Sequence, residues 1–176
     1  MQATIKQKIV SVLIVVFVCT LFLRIFIIEG FVVKGDSMEP AIHSGDFVFI
    51  NKTAYWFKEP VRKDVIVVIP RIYPNKVVKR VIGLPGERFQ IENNRVVIKS
   101  NRLDAGEIIS EPYLGSTSTP AVGTTLIQLD PQEYFALGDK RDVSIDSREL
   151  GPVDKWSIKG KVIGILNFAT LKYVAF

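Results

Sequence analysis

Side chains that build metal centres and covalent cross-links are scarce in this chain of 176 residues, which has one cysteine and one histidine. A single thiol, Cys19, excludes an internal disulfide or a thiolate zinc site. A single imidazole, His43, excludes a multi-histidine metal centre. No cofactor and no metal is expected. A basic stripe interleaved with aromatics is also missing. The net charge is +5, but Lys6, Lys8, Arg24 and Glu29 belong to the first 29 residues, so the remainder carries only +3. Nucleic acid is therefore not an expected partner. Helical periodicity is weak beyond residue 30, except around Ala54-Tyr55-Trp56. There are no internal repeats and no second unit of independent size.

A long apolar run is present at the start. Ile9 to Leu23 is apolar except for Ser11 and Thr20, Arg24 interrupts, and Ile25-Phe26-Ile27-Ile28 continues the run. About twenty helical residues span about 30 Å, close to the hydrocarbon thickness of a bilayer. Arg24 lies near the far end, where its long stem carries the guanidinium to the headgroups. Lys6 and Lys8 precede the run, which by the positive-inside rule puts the N-terminus in the cytoplasm and everything after residue 29 outside. A cleaved secretory signal is the competing reading, but Ile27-Ile28-Glu29 lacks a small-x-small site. A buried core helix is the other, and the basic flank argues against it. The expected division is an N-terminus and transmembrane anchor over 1–29 and an extracytoplasmic catalytic β domain over 30–176.

After residue 30 the pattern changes to short β-rich runs broken by glycine and proline. Phe31-Val33, Phe47-Ile50, Val65-Ile69, Lys76-Ile82, Arg88-Ile91, Arg95-Ile98, Glu133-Leu137 and Lys161-Leu166 read as strands. Asn93-Asn94 reads as a hairpin turn, because asparagine tolerates positive φ. Residues 99–125 are richer in Gly, Ser, Thr and Pro, and Gly115-Ser116-Thr117-Ser118-Thr119-Pro120 reads as a flexible surface loop. The expected fold is mainly β, an antiparallel-sheet domain with one N-terminal transmembrane helix.

Three places carry candidate chemistry. Ser37 lies in Gly35-Asp36-Ser37-Met38-Glu39-Pro40, where Gly35 allows an unusual dihedral and Pro40 stiffens the chain beyond it. A serine hydroxyl attacks only once a base takes its proton. His43 is near in sequence but sits in a polar stretch, as a surface loop histidine does. Lys79 is the better base. Alternation puts it on one face of its strand with Val77 and Val81, where desolvation disfavours the charged amine. The alternative is an edge-strand lysine reaching to water. The third place is Gly138-Asp139-Lys140-Arg141-Asp142-Val143-Ser144-Ile145-Asp146-Ser147-Arg148. It reads either as a solvated loop with local salt bridges or as a support for the site, with Ser144 orienting an amine and Asp146 paired with Arg148.

Together these segments resemble the bacterial type I signal peptidases, membrane-bound Ser/Lys endopeptidases, in their short Gram-positive form. The matching stretches are Gly35 to Pro40, Gly45-Asp46-Phe47-Val48, Lys79-Arg80-Val81-Ile82-Gly83-Leu84-Pro85-Gly86-Glu87, and Gly138-Asp139 with Ser144 to Arg148, in that order after the anchor. The resemblance runs from about residue 5 to 170. It implies Ser37 as nucleophile, Lys79 as general base, Ser144 orienting the lysine, Asp146 and Arg148 as structural support, and the Ser37 N–H as a donor to the oxyanion. Relatives that use a second hydroxyl donor carry serine at the position of Gly35. The implied substrates are secretory preproteins with small residues at the first and third positions before the cut. Shallow apolar pockets are expected near Val33, Met38, Ile42 and Val77. The resemblance places the protein in the plasma membrane as a single-pass protein, with the lipid bilayer and the secretion translocon as further partners.

Two other functions compete. One is a signal-peptidase-like accessory protein in surface-polymer or pilus assembly, against which the intact Ser37 and Lys79 argue. The other is a self-cleaving Ser/Lys repressor, which would open with a DNA-binding helix-turn-helix rather than an apolar anchor.

Overall fold

The apolar run is helical. In the computed structural model, which describes residues 4–71, 74–99, 104–115, 118–120 and 126–176, α1 covers Ile5–Phe22 and continues through a π-helical stretch, Leu23–Ile27. Thr4 caps α1 by accepting from the Gln7 N–H, and the Gln7 side chain reaches back to the Thr4 N–H. That reciprocal pair satisfies two amides that the helix start would leave unpaired. No residue of α1 is buried against the rest of the chain. Within the 23 residues Ile5–Ile27 the most apolar 18-residue window has a mean hydropathy of 2.8, and the whole extends for roughly 34 Å at 1.5 Å per residue, enough to cross a bilayer.

Strand β1, Ile28–Val32, begins with no intervening loop. The other strands are β2 (Phe47–Asn51), β3 (Val65–Val68), β4 (Val77–Gly83), β5 (Arg88–Glu92), β6 (Arg95–Lys99), β7 (Glu107–Ile108), β8 (Ile127–Gln128), β9 (Glu133–Leu137), β10 (Val153–Asp154), β11 (Ile158–Asn167) and β12 (Lys172–Ala175). The larger sheet has the order β1-β2-β11-β3-β4-β9-β10, with β12 also on β11, and the smaller has the order β7-β6-β5-β8. All of these strand pairings are antiparallel.

Alternation along the strands distributes the apolar side chains among three clusters. Val33, Met38, Ile42, Val48, Ile50, Val65, Val67, Val78, Val162 and Ile165 form the first, under the start of the chain's β portion. Ile82, Phe89, Phe135 and Leu137 belong to a second, between the two sheets, where the Phe89 and Phe135 rings stack at 4.0 Å. Ile66, Val68, Val81, Tyr134 and Ala136 form the third on the opposite face of β3 and β4. Val77 and Val81 thus share one face of β4, and Val78 lies on the other, as the period of two requires.

The eight strands expected from sequence are all present, with ends shifted by a few residues. Asn93 and Asn94 make the β5–β6 turn with φ of 49° and 61°. Two expectations differ. Ala54-Tyr55-Trp56 lies in turns rather than a helix, because Asn51 Oδ1 accepts from both the backbone and the hydroxyl of Thr53 and tightens the chain there. Thr119 is buried rather than on a surface loop, since its hydroxyl accepts from Arg141. Ser116 and Thr117 of that stretch lie outside the described residues. The strands β7, β8, β10 and β12 and the short helix α2, Ser147–Leu150, were not expected.

Candidate active site

The turn after β1 begins at Gly35, whose φ of +95° is the left-handed conformation that favours glycine. It brings Ser37 against β4. Lys79 Nζ lies 2.9 Å from Ser37 Oγ and 2.9 Å from Ser144 Oγ, although Ser37 and Lys79 are 42 residues apart in the chain. Lys79 is only 6% exposed. Burial pushes its pKa down to about 8. The Asp146 carboxylate works against that shift, the Arg148 guanidinium adds to it, and Asp139 opposes it more weakly. His43 sits elsewhere, in an exposed loop where its N–H donates to Asp46.

The third element of the site is the segment after β9. Gly138 is its pivot. A methyl group there would meet the Ser37 carbonyl oxygen at 2.5 Å and Ser144 Cβ at 2.6 Å, and would overlap Ser144 Oγ. The Lys140 N–H donates to the same Ser37 carbonyl at 3.0 Å, and Lys140 Nζ reaches Glu39 at 2.8 Å. Gly138 N–H donates to Asp146 Oδ2 at 3.0 Å. Asp146 also receives Arg148 Nε and Nη2, both at 2.9 Å. The two side chains are 0% and 2% exposed, so this is a buried ion pair. Burial alone would push the Asp146 carboxyl up, but the hydrogen bonds from Arg148 and Gly138 outweigh it and hold it below the usual carboxylate range. Arg148 Nη2 goes on to the carbonyls of Arg141 and Ser144, fixing the backbone that carries the Ser144 hydroxyl.

Sequence reasoning missed a second buried layer. Arg141 is 1% exposed. It donates to the Gly138 carbonyl, pairs with Glu111 and reaches Thr119. Asp139 takes both Nε and Nη2 of Arg80, the residue next to Lys79, and the Arg80 guanidinium lies 4.1 Å from the centre of the Tyr113 ring. No local pattern points to Glu111 or Thr119, because their role exists only when the loops carrying them fold back over residue 141.

Of the four candidate substrate contacts, Val33, Met38 and Ile42 are packed in the first core cluster at 6%, 1% and 0% exposure. Val77 lines a cavity of about 250 Å³ beside Lys79, together with Val68, Ile145, Leu150 and Val153. Among the described residues no group of His, Cys, Asp or Glu is arranged to hold a metal ion.

A buried lysine amine lies between two serine hydroxyls, in a mainly β protein with one exposed apolar helix among the described residues, an arrangement in keeping with a serine hydrolase. The chain belongs to the signal peptidase family, peptidase S26, whose model matches residues 5–166. It is 34% identical to signal peptidase I of Bacillus licheniformis over 160 residues, 86% of this chain and 83% of that one. It is 35% identical to signal peptidase I of Bacillus caldolyticus over 154 residues, 80% of each, and 32% identical to signal peptidase I S of Bacillus subtilis strain 168 over 158 residues, 84% and 82%. A crystal structure of a signal peptidase I from Enterococcus faecalis V583 aligns with a TM-score of 0.48 at 30% identity, over 59% of this chain and 97% of that one. The activity is that of signal peptidase I, a serine endopeptidase that removes signal peptides from secreted preproteins.

Proposed function

We propose that Ser37 and Lys79 carry out this cleavage. The observation that carries the assignment is the 2.9 Å contact between Ser37 Oγ and a lysine amine whose pKa burial lowers to about 8. Neutral Nζ accepts the Ser37 proton while it donates to Ser144 Oγ. Ser37 Oγ attacks the scissile carbonyl carbon, and the resulting oxyanion lies next to the Ser37 N–H, which has no acceptor among the described residues. The ammonium of Lys79 gives its proton to the leaving amine, the peptide bond breaks, and the signal peptide stays as an ester on Ser37. Lys79 then takes a proton from water, the hydroxide attacks the ester, and Ser37 recovers its proton as the signal peptide leaves with a free carboxylate.

Asp146 and Arg148 support this geometry from below by holding Gly138 and Ser144. The tight packing of Val33, Met38 and Ile42 beside the Ser37 turn fits substrates with small side chains before the cut, and Val77 adds the wall nearest Lys79. Residues 1–29 act as the membrane anchor and residues 30–176 as the catalytic unit. Lys6 and Lys8 support a cytoplasmic N-terminus, with the catalytic unit on the outer side of the plasma membrane. The translocon is then a neighbour by location. The direct Ser37–Lys79 contact speaks against the accessory role in polymer or pilus assembly.

The test is processing of a purified preprotein in detergent. Wild type should release the mature protein and Ser37→Ala should not. Processing by Ser37→Ala would remove Ser37 from the mechanism. Protease added outside intact protoplasts should digest residues 30–176, and full protection of that region would reverse the orientation.

A further inference from the structure

Glu29 and Lys76 join two strands that do not hydrogen-bond to one another. β1 ends the larger sheet, paired with β2 alone. β4 takes β9 as a neighbour only from Arg80 onward, so Val77 to Lys79 keep one edge free among the described residues. Side chains from beside the two free edges meet. Lys76 Nζ pairs with Glu29 and lies 6.0 Å from the centre of the Phe31 ring, and Phe31, Val33 and Val78 meet in one core cluster. One edge leads into Ser37 and the other contains Lys79. An extended chain whose scissile bond reaches the dyad fits between two such edges by main-chain pairing.

The direction of that chain is set by the anchor. β1 starts where the apolar helix stops, so Glu29 marks the end of the cleft nearest the bilayer. A preprotein held in the same bilayer by its own apolar segment enters there. Glu29 precedes Val33 by four residues and Lys76 precedes Lys79 by three. At about 3.3 Å per residue the ion pair lies about 10 Å upstream of Lys79 on one edge and about 13 Å upstream of Val33 on the other. A substrate residue four or five positions before the cut passes beside it.

We propose that Glu29 and Lys76 determine specificity at this position, admitting neutral residues and rejecting charged ones of either sign. The inference rests on Ser37 and Lys79 being the dyad. Each partner is only 34% exposed, and Lys76 Nζ sits over the Phe31 ring. A neutral substrate residue leaves the pair intact. A substrate carboxylate meets Glu29, and a substrate ammonium meets Lys76. Relieving either repulsion breaks an ion pair that is partly shielded from water, which is how a site selects against a competitor.

Peptides with small residues at the first and third positions before the cut, differing only in Ser, Glu or Lys at the fourth or fifth position, test this. With wild type, kcat/KM should fall about fivefold or more for both Glu and Lys relative to Ser. Glu29→Gln leaves the Lys76 cation unpaired, so the Glu peptide should become preferred over the Lys peptide by about tenfold. Lys76→Gln should invert that preference. Each preference is a ratio within one enzyme, so it does not depend on the folded fraction. Should a variant not fold, wild type still decides the matter. Its penalty against both charged peptides should shrink toward unity between about 0.05 and 1 M salt, as the Debye length falls to about 3 Å. The same ranking of peptides in all three enzymes, or a salt-independent ranking in wild type, would overturn the proposal. Cleavage by Ser37→Ala would instead overturn the dyad.

Discussion

The Ser37 carbonyl oxygen lies 2.5 Å from where the first side-chain carbon of residue 138 would stand if that residue were not glycine. The nucleophile turn and the end of β9 are therefore in direct backbone contact, and Ser144 packs into the same space. Gly138→Ala forces Ser37 or Ser144 away from Lys79. A displacement near 1 Å at a reacting group costs on the order of 100-fold. Turnover of a preprotein should fall by at least that factor while circular dichroism still reports the β structure. Unchanged turnover would mean the contact has no part in aligning the dyad.

As the proposed base, Lys79 works only when neutral. With a pKa near 8, roughly a tenth of it is neutral at pH 7, against well under 0.1% for an ordinary lysine. The rate kcat/KM should rise through a single ionisation near pH 8 and then level off. Lys79→Arg should be inactive, because guanidinium stays protonated. His43→Ala should keep both the rate and the profile. A midpoint left unchanged near 10.5, or a profile lost with His43, would contradict the assignment.

The same burial that lowers the Lys79 pKa should destabilise the fold. Between about pH 8 and 10.5 the unfolded chain holds a proton on Lys79 and the folded chain does not. Stability from this group is therefore lowest below pH 8 and rises until about pH 10.5. A gap of this size corresponds to about 3 kcal/mol. Lys79→Met, similar in length and uncharged, should melt several degrees higher than wild type at pH 7, and the difference should shrink toward pH 10.5. Equal melting temperatures at pH 7 would show that Lys79 is solvated.

Asp146 and Ser144 should separate stability from rate. Removing the Asp146 carboxylate leaves the Arg148 charge buried without its partner and the Gly138 N–H without its acceptor. Asp146→Ala should lose about 3–5 kcal/mol in a denaturant titration. Ser144→Ala removes one hydrogen bond to Lys79 and should slow cleavage about 5- to 150-fold, at 1–3 kcal/mol, with little loss of stability. A wild-type denaturation midpoint for Asp146→Ala would place the ion pair in solvent.

Much of the fold was readable because alternation and turn chemistry are local properties. The runs that became β2 to β6 carry apolar residues at alternate or consecutive positions, and Asn93-Asn94 names its own turn. The strands that escaped notice are two residues long or, like β12, are exposed along their length, so no burial pattern marks them. Lys79 was identifiable as a lysine within an apolar strand. Its meeting with Ser37 and Ser144 joins three distant segments, and only the resemblance to known peptidases indicated it. The Arg141, Glu111 and Thr119 cluster left no trace, because a buried polar network has no period.

The junction between α1 and β1 has a consequence of its own. Helical backbone runs to Ile27, strand begins at Ile28, and Lys52 clamps the joint by donating its N–H to the Ile27 carbonyl at 2.8 Å and its Nζ to the Ile25 carbonyl at 2.5 Å. With α1 in the bilayer, a stiff joint sets the height at which Ser37 works above the lipid. The enzyme is then a ruler as well as a blade. On the proposed dyad, a preprotein whose cleavage bond emerges too close to its own apolar segment would not rise to Ser37, whatever its sequence, and one with too long a spacer would place the wrong bond there.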